Sequence, residues 1–249
     1  MPKVSVIIPC YNHGAFLTET LDSVQAQTFV DFEIIVVNDG STDEKTVALF
    51  KNILRENTKV IHTVNQGVSA ARNRGIAEAK GDYILPLDAD DKIGPDYLEL
   101  AVKVLNTRPD VGIVYCERVM FGELQGIESL PDYDPRALLI DNSIYPAALF
   151  RKADWKIVGG YSKKMVYSWE DWDFWISLSE LGRQVVKIPE PLFFYRVRNI
   201  SRDHSLRFYQ KLILMITLVL RHKRLYFRNM DLLVKRAVDL MTGKSRGVT

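Results

Sequence analysis

Five short apolar runs, at residues 4–9, 32–37, 59–61, 83–87 and 111–115, recur with segments of helical spacing between them. That rhythm narrows the fold more than any other property of the chain. Val4-Ser5-Val6-Ile7-Ile8-Pro9 and Phe32-Glu33-Ile34-Ile35-Val36-Val37 are rich in β-branched residues, the pattern of strands buried on both faces. Between them, residues 15–27 space Phe16, Leu17, Leu21 and Val24 as a helix does, and 43–57 repeat this with Val47, Leu49, Phe50, Ile53 and Leu54. Ser41, three residues ahead of Glu44, fits a capping box for the second helix. Further helices are expected at 68–79 and 96–105. Strand and helix alternating at this spacing predict an α/β fold, a mainly parallel sheet wrapped by helices.

After Cys116 the rhythm breaks. Residues 122–134 are polar, turn-rich and without period; 151–158 and 169–181 read as helices, 184–188 and 192–196 as short strands, and the chain from 205 as a long basic helical segment. Three regions follow, 1–115, 116–204 and 205–249. The net charge of +2 hides an asymmetry: residues 205–249 hold ten Lys or Arg against Asp231 and Asp239, a balance of +8 that leaves the rest at −6. The nearly unbroken apolar run 212–220 is too short to span a bilayer, but the basic remainder would gain about 1 kcal/mol per cation near anionic lipid. No run of 18 apolar residues occurs and residues 1–4 lead straight into a strand, so neither a spanning helix nor a signal peptide is expected. Cys10 and Cys116, the only cysteines, have no metal-site spacing, which points to a reducing compartment and no disulfide framework.

The chemistry concentrates where the fourth strand ends, in Leu85-Pro86-Leu87-Asp88-Ala89-Asp90-Asp91. In extended backbone Asp88 and Asp90 project to one side while Ala89 turns away. Two carboxylates about 6 Å apart repel by roughly 3 kcal/mol at an effective dielectric of 20, a term that a divalent cation reverses. Oxygen ligands without Cys or His favour Mg²⁺ or Mn²⁺; the alternative use of such aspartates is to solvate a turn or cap the next helix. The first strand ends in Pro9-Cys10-Tyr11-Asn12 and the second in Asn38-Asp39-Gly40-Ser41, so all three ends belong on one carboxyl edge of the sheet. There Tyr11 can stack on a base and Asp39 can accept from an imide N–H. In 66–75, Arg72 is placed to reach a phosphate or anchor the acidic cluster. Trp169-Glu170-Asp171-Trp172-Asp173-Phe174-Trp175 sets three carboxylates among aromatics at a helix start, where capping and a water-poor sugar wall are both served. The ending Gly243-Lys244-Ser245 lacks the first glycine of a phosphate loop.

In this order the motifs resemble the family 2 glycosyltransferases, which have the GT-A fold. The likeness rests on 4–12, 37–43, 65–75, 81–91 and Glu170-Asp171, and covers residues 3 to about 196. It implies an inverting transferase, of hexosyl or N-acetylhexosaminyl type, that uses a nucleotide-diphosphate sugar, most often a uridine one. Region 1–115 would bind the donor, 116–204 the acceptor and catalytic base, and 205–249 would be a basic tail with peripheral membrane contact. By the same resemblance Pro9, Tyr11 and Asp39 line the base, Arg72 and Asp88 hold nucleotide, Asp90 completes an Asp-x-Asp site for Mn²⁺ or Mg²⁺, and Asp171 is the general base. Asp91, Trp169, Glu170, Trp172 and Arg198 are the further candidates for acceptor or diphosphate contacts. Many relatives carry a histidine just after the Tyr-Arg of the last strand, where this chain has Tyr195-Arg196-Val197-Arg198. Arg198 or His204 is the expected substitute. A glycan or lipid-linked acceptor, no nucleic acid, and a place at the cytoplasmic face of a membrane in surface polysaccharide synthesis complete the expectation. The competing readings are a non-catalytic nucleotide-sugar subunit and a nucleotidyltransferase; the second would want a basic glycine-rich loop, which Pro9-Cys10-Tyr11-Asn12-His13-Gly14 lacks.

Overall fold

The computed structural model describes residues 1–53, 55–198 and 205–232. Its elements are β1 (Val4–Cys10), α1 (Gly14–Gln25), β2 (Phe32–Asp39), α2 (Glu44–Asn52), β3 (Thr58–Thr63), α3 (Val68–Glu78), β4 (Tyr83–Pro86), β5 (Lys92–Ile93), α4 (Tyr97–Thr107), β6 (Val111–Gly122), β7 (Gly126–Glu128), β8 (Leu149–Arg151), α5 (Lys152–Val158), α6 (Glu170–Ser179), β9 (Gln184–Val197), α7 (Phe208–Arg221) and α8 (Lys223–Arg228). One sheet runs β3-β2-β1-β4-β8-β6-β9-β5, with β7 paired to β6. The β1–β2, β1–β4, β2–β3 and β6–β9 pairs are parallel.

Every residue of β1 is buried, and the pleat divides its side chains between two cores. Val4, Val6, Ile8 and Cys10 meet Leu17, Leu21 and Val24 of α1 and Tyr97, Leu98 and Ala101 of α4. Ile7 faces the other way, with Ile35 and Val37, into a core closed by Ala71 and Ile76 of α3, Phe174 and Trp175 of α6 and Leu214 and Leu218 of α7. A strand buried on both faces is apolar at nearly every position, the exception in β1 being Ser5, whose hydroxyl donates to Glu33 at 2.7 Å, and each fully buried Ile or Val contributes about 1.5–3 kcal/mol. Because β2 and β3 lie on one side of β1 and β4 on the other, the strand order reverses at β1. The crevice outside the carboxyl ends of these strands is where open α/β sheets place ligands.

Several expectations are corrected. Helix α2 is capped by Asp43, whose carboxylate accepts from the Thr46 N–H at 2.9 Å, while the Ser41 hydroxyl accepts instead from the Asn12 N–H. The helix ends at Asn52, because Ile53 is extended. The two short strands near the end are one, β9, whose pairing with β6 is irregular around Glu117 and Pro191. β6 runs on to Gly122, and the stretch that lacked periodicity holds β7. Strands β5 and β8, of two and three residues, fall below any readable period; β8 pairs antiparallel to both β4 and β6. The basic segment from 205 breaks at His222 into α7 and α8.

Candidate active site

The rim of the crevice is assembled from loops that the strands launch side by side. Asn12, in a left-handed conformation at φ 58°, uses its side-chain carbonyl to accept from the Thr42 and Asp43 N–H groups, tying the loop after β1 to the loop after β2. The Asp39 carboxylate, 3% exposed, accepts from the Thr63 hydroxyl at 3.1 Å and the backbone N–H groups of Gln66 and Gly67 at 3.0 and 2.8 Å. Gly67 at φ 86° makes that turn possible. Pro9 is buried within β1, and Tyr11, two residues on, is 44% exposed at the mouth.

At the end of β4 the three aspartates have different surroundings. Asp88 is the most open, and one of its oxygens accepts from Arg72 at 2.6 Å. Asp90 lies 2.9 Å from the Arg198 guanidinium and 4.0 Å from His13 Nδ1. Burial pushes its carboxyl up, and the neighbouring Asp88 charge adds to this against the opposing pull of His13 and Arg198. Asp91 is 2% exposed, accepts from the Arg196 N–H at 2.9 Å, and is raised well above the carboxylate range by burial and by Asp90 and Asp88.

Arg72 joins this cluster to α6. The guanidinium, 1% exposed, donates through one terminal nitrogen to Asp88 and through the other to Glu170 at 3.0 Å, and lies over the Tyr161 ring. Burial works against its charge, but the two carboxylates outweigh it and hold the cation above its ordinary range. This clamp brings the first turn of α6 to the strand-end aspartates. The helix starts abruptly, since Trp169 is left-handed at φ 64° and its ring meets that of Trp172 edge-on at 5.1 Å. Trp172 itself is buried, its indole N–H donating to the Leu138 carbonyl. Asp171 is left on the crevice side, part-buried. It accepts from the Asn142 amide at 3.1 Å and from the Trp172 N–H at 2.8 Å. Burial and the Glu170 charge, opposed by Arg72, push its carboxyl up to about 6.

The structure thus gathers Asp39, Arg72, Asp88, Asp90, Asp91, Glu170, Asp171 and Arg198 around the loops at one sheet edge. His204 lies outside the described residues. Three participants were not picked out from the sequence as site residues: Asn142, which holds Asp171; His13, which lies between Asp90 and Arg198; and Asn12, the loop tie. His13 follows a strand end and was readable by position; Asn142 sits in a stretch with no pattern to single it out. Among the described residues no three His, Cys, Asp or Glu side chains come together as a ready metal cage.

The family model described as Glycosyl transferase family 2 matches residues 5–165. A chondroitin synthase and a hyaluronan synthase of Pasteurella multocida are each 29% identical over 189 residues, 74% of this chain and 19% of the relative. The chain therefore spans about a fifth of the length of those synthases. An uncharacterized glycosyltransferase of Haemophilus influenzae is 32% identical over 205 residues, 77% of this chain and 67% of the relative. The crystal structure of S. aureus TarS 1-349 in complex with UDP-GlcNAc superposes with a TM-score of 0.70 at 23% identity, covering 88% of this chain and 66% of that one. The shared fold is of the GT-A type.

Proposed function

The chain belongs to glycosyl transferase family 2, and from that premise we propose that it transfers a sugar from a uridine diphosphate donor to an acceptor hydroxyl in a single inverting displacement. The observation that carries the proposal is the Arg72 clamp, which sets Asp171 beside the strand-end aspartates with its carboxyl at about 6. A base needs a pKa near the working pH, high enough to accept a proton and low enough to be ionised. Asp171, steadied by Asn142, takes the proton of the acceptor hydroxyl as its oxygen bonds to the anomeric carbon. The bond from that carbon to the diphosphate breaks on the opposite face and its electron pair leaves with the diphosphate, so one displacement inverts the configuration.

The donor is assigned to the other side of the clamp. Tyr11, exposed at the mouth, offers a stacking face, and Asp39, held rigid by three hydrogen bonds, offers a fixed acceptor for an imide N–H. TarS, solved with UDP-GlcNAc, supports the choice of a uridine nucleotide. Arg72, with both terminal nitrogens taken, positions Asp88 and Glu170. The carboxylates after β4 offer the hard oxygen donors that a divalent ion takes: Asp90 is pushed upward by burial and by Asp88, and Asp91 by burial and by Asp90 and Asp88. Asp90, with Asp88, would hold Mg²⁺ or Mn²⁺, and the ion would neutralise charge on the leaving group. Arg198, already on Asp90, is the protein's own cation at that spot.

Calorimetric titration of UDP with and without Mn²⁺ tests the donor site. The wild type is expected to bind more tightly with the ion, and Asp90→Asn to lose the metal-dependent part. No UDP binding by folded wild type would overturn the uridine assignment. Asp171→Asn is expected to keep UDP affinity while losing turnover by roughly 10²–10⁴-fold; undiminished transfer would remove Asp171 as the base.

A further inference from the structure

Helix α7 is apolar on two opposite faces. Leu214 and Leu218 are buried in the core that also holds Trp175 of α6, with Met215 and Val219 partly buried against it. At about 100° per residue, Phe208, Tyr209, Leu212, Ile213, Ile216 and Leu220 fall within an arc of roughly 140° on the far side. They are between 44% and 76% exposed. On α8, Phe227 is exposed as well, and Met230 follows it. A surface helix ordinarily turns polar side chains outward, and a contiguous apolar patch of this kind marks a contact surface.

We infer that the outer face of α7–α8 docks on an anionic lipid surface, the helix lying in the plane of the headgroups. Charge selects this occupant. The outward arc carries no charged residue, and the cations lie beyond it: Arg207 and Lys211 near the start, Lys223, Arg224 and Arg228 at the end. An apolar face bordered by Lys and Arg is the pattern of an interfacial helix, to which acyl boundary and headgroup each contribute. The whole segment 205–249 carries +8 while the remainder carries −6. A second copy meeting this face isologously would set two such cationic segments against each other. No described helix is long and apolar enough to cross a bilayer, so α7 lies on the surface.

The body holds α7 and α8 on their inner side. Arg221 Nε donates to Asp173 Oδ1 at 2.6 Å, His222 Nε2 lies 3.0 Å from the same oxygen, and the Tyr226 hydroxyl donates to the Leu139 carbonyl at 2.7 Å. The apolar face is therefore presented as a rigid feature of the folded protein. This inference does not depend on the transferase reading.

The test is co-sedimentation of the full chain with vesicles of phosphatidylcholine alone and of phosphatidylcholine mixed with phosphatidylglycerol. The wild type is expected to bind the mixed vesicles more strongly. The triple variant Leu212→Gln, Ile216→Gln and Leu220→Gln should lose at least roughly tenfold in affinity with unchanged thermal unfolding, since these side chains are outside the core. The pair Lys223→Gln and Arg224→Gln should weaken binding to the mixed vesicles alone. Wild type remaining in the supernatant with both vesicles, or a triple variant that binds as well as wild type, would overturn the inference. So would an oligomer, seen by light scattering, that the triple variant dissolves without any vesicle binding; the face would then join copies of this chain.

Discussion

Asp171 takes its chemistry from its neighbours. An ordinary aspartate near 4 is too weak a base to draw a proton from a hydroxyl, and burial beside Glu170 raises this one to about 6. In the proposed transfer the ionised form is the active one, so the rate is expected to rise with pH through about 6 and then level off. A pH–rate profile checks this, and an acid limb at the ordinary carboxylate value of about 4 would separate Asp171 from the proton transfer. Arg72 supplies the second residue-scale prediction. Replacing it with alanine takes from the buried Glu170 carboxylate and from Asp88 the guanidinium that they share, at a cost of about 3–5 kcal/mol in urea unfolding. Arg72→Lys should recover only part of this, because one ammonium does not reproduce a planar fork aimed at two separate carboxylates. The residue types at these positions were legible in the sequence. Which carboxylate Arg72 would grip was not, since Glu170 is 98 residues away.

Elements meet closely where α3 crosses β1 and β2. A Cβ added at Gly75 would come within 2.5 Å of Ile7 Cγ2 and 3.1 Å of Val37 Cγ2, both β-branched side chains with no free rotamer to retreat into. Gly75→Ala is therefore expected to destabilise by about 1–3 kcal/mol despite alanine's better helix propensity, and the shift in the unfolding midpoint measures it. The long parallel strands and their helices were readable because each repeats one periodicity over enough residues to be counted. β5, β7 and β8 have two or three residues each, and their pairing is decided by β9, β6 and β4 rather than by local preference. The irregular pairing within β9 has the same origin: Pro189 has no N–H to give a ladder, so two apparent strands separated at that proline are one strand held by its partner.

Across the molecule, α7 and α8 share the core that α3 and α6 close. Leu214 and Leu218 belong to the cluster that contains Ile7 and Trp175, and Asp173, fully buried, meets Arg221 and His222. Leu214→Ala is expected to cost about 2–5 kcal/mol, and Asp173→Ala about 3–5 kcal/mol because the Arg221 guanidinium and the His222 ring both lose the buried carboxylate oxygen that they meet. Each should lower a single cooperative transition followed by far-UV circular dichroism. A separate early transition for α7 and α8 would show that they unfold independently of the body.

The sequence by itself determined the α/β alternation, the common edge for the three strand ends, the acidic cluster after β4 and the family. All of these are built from local periodicities or short motifs, each piece a dozen or so residues long, and from the order of those pieces along the chain. Only the tertiary structure decided that Arg72 clamps Asp88 to Glu170, that Asn142 steadies Asp171, that Asp91 turns inward to Arg196, and that α7 keeps an apolar face outside the core. Those outcomes depend on which distant groups share a desolvated volume, and burial, which sets both the pairing of charges and the basicity of Asp171, is a property of the packed chain.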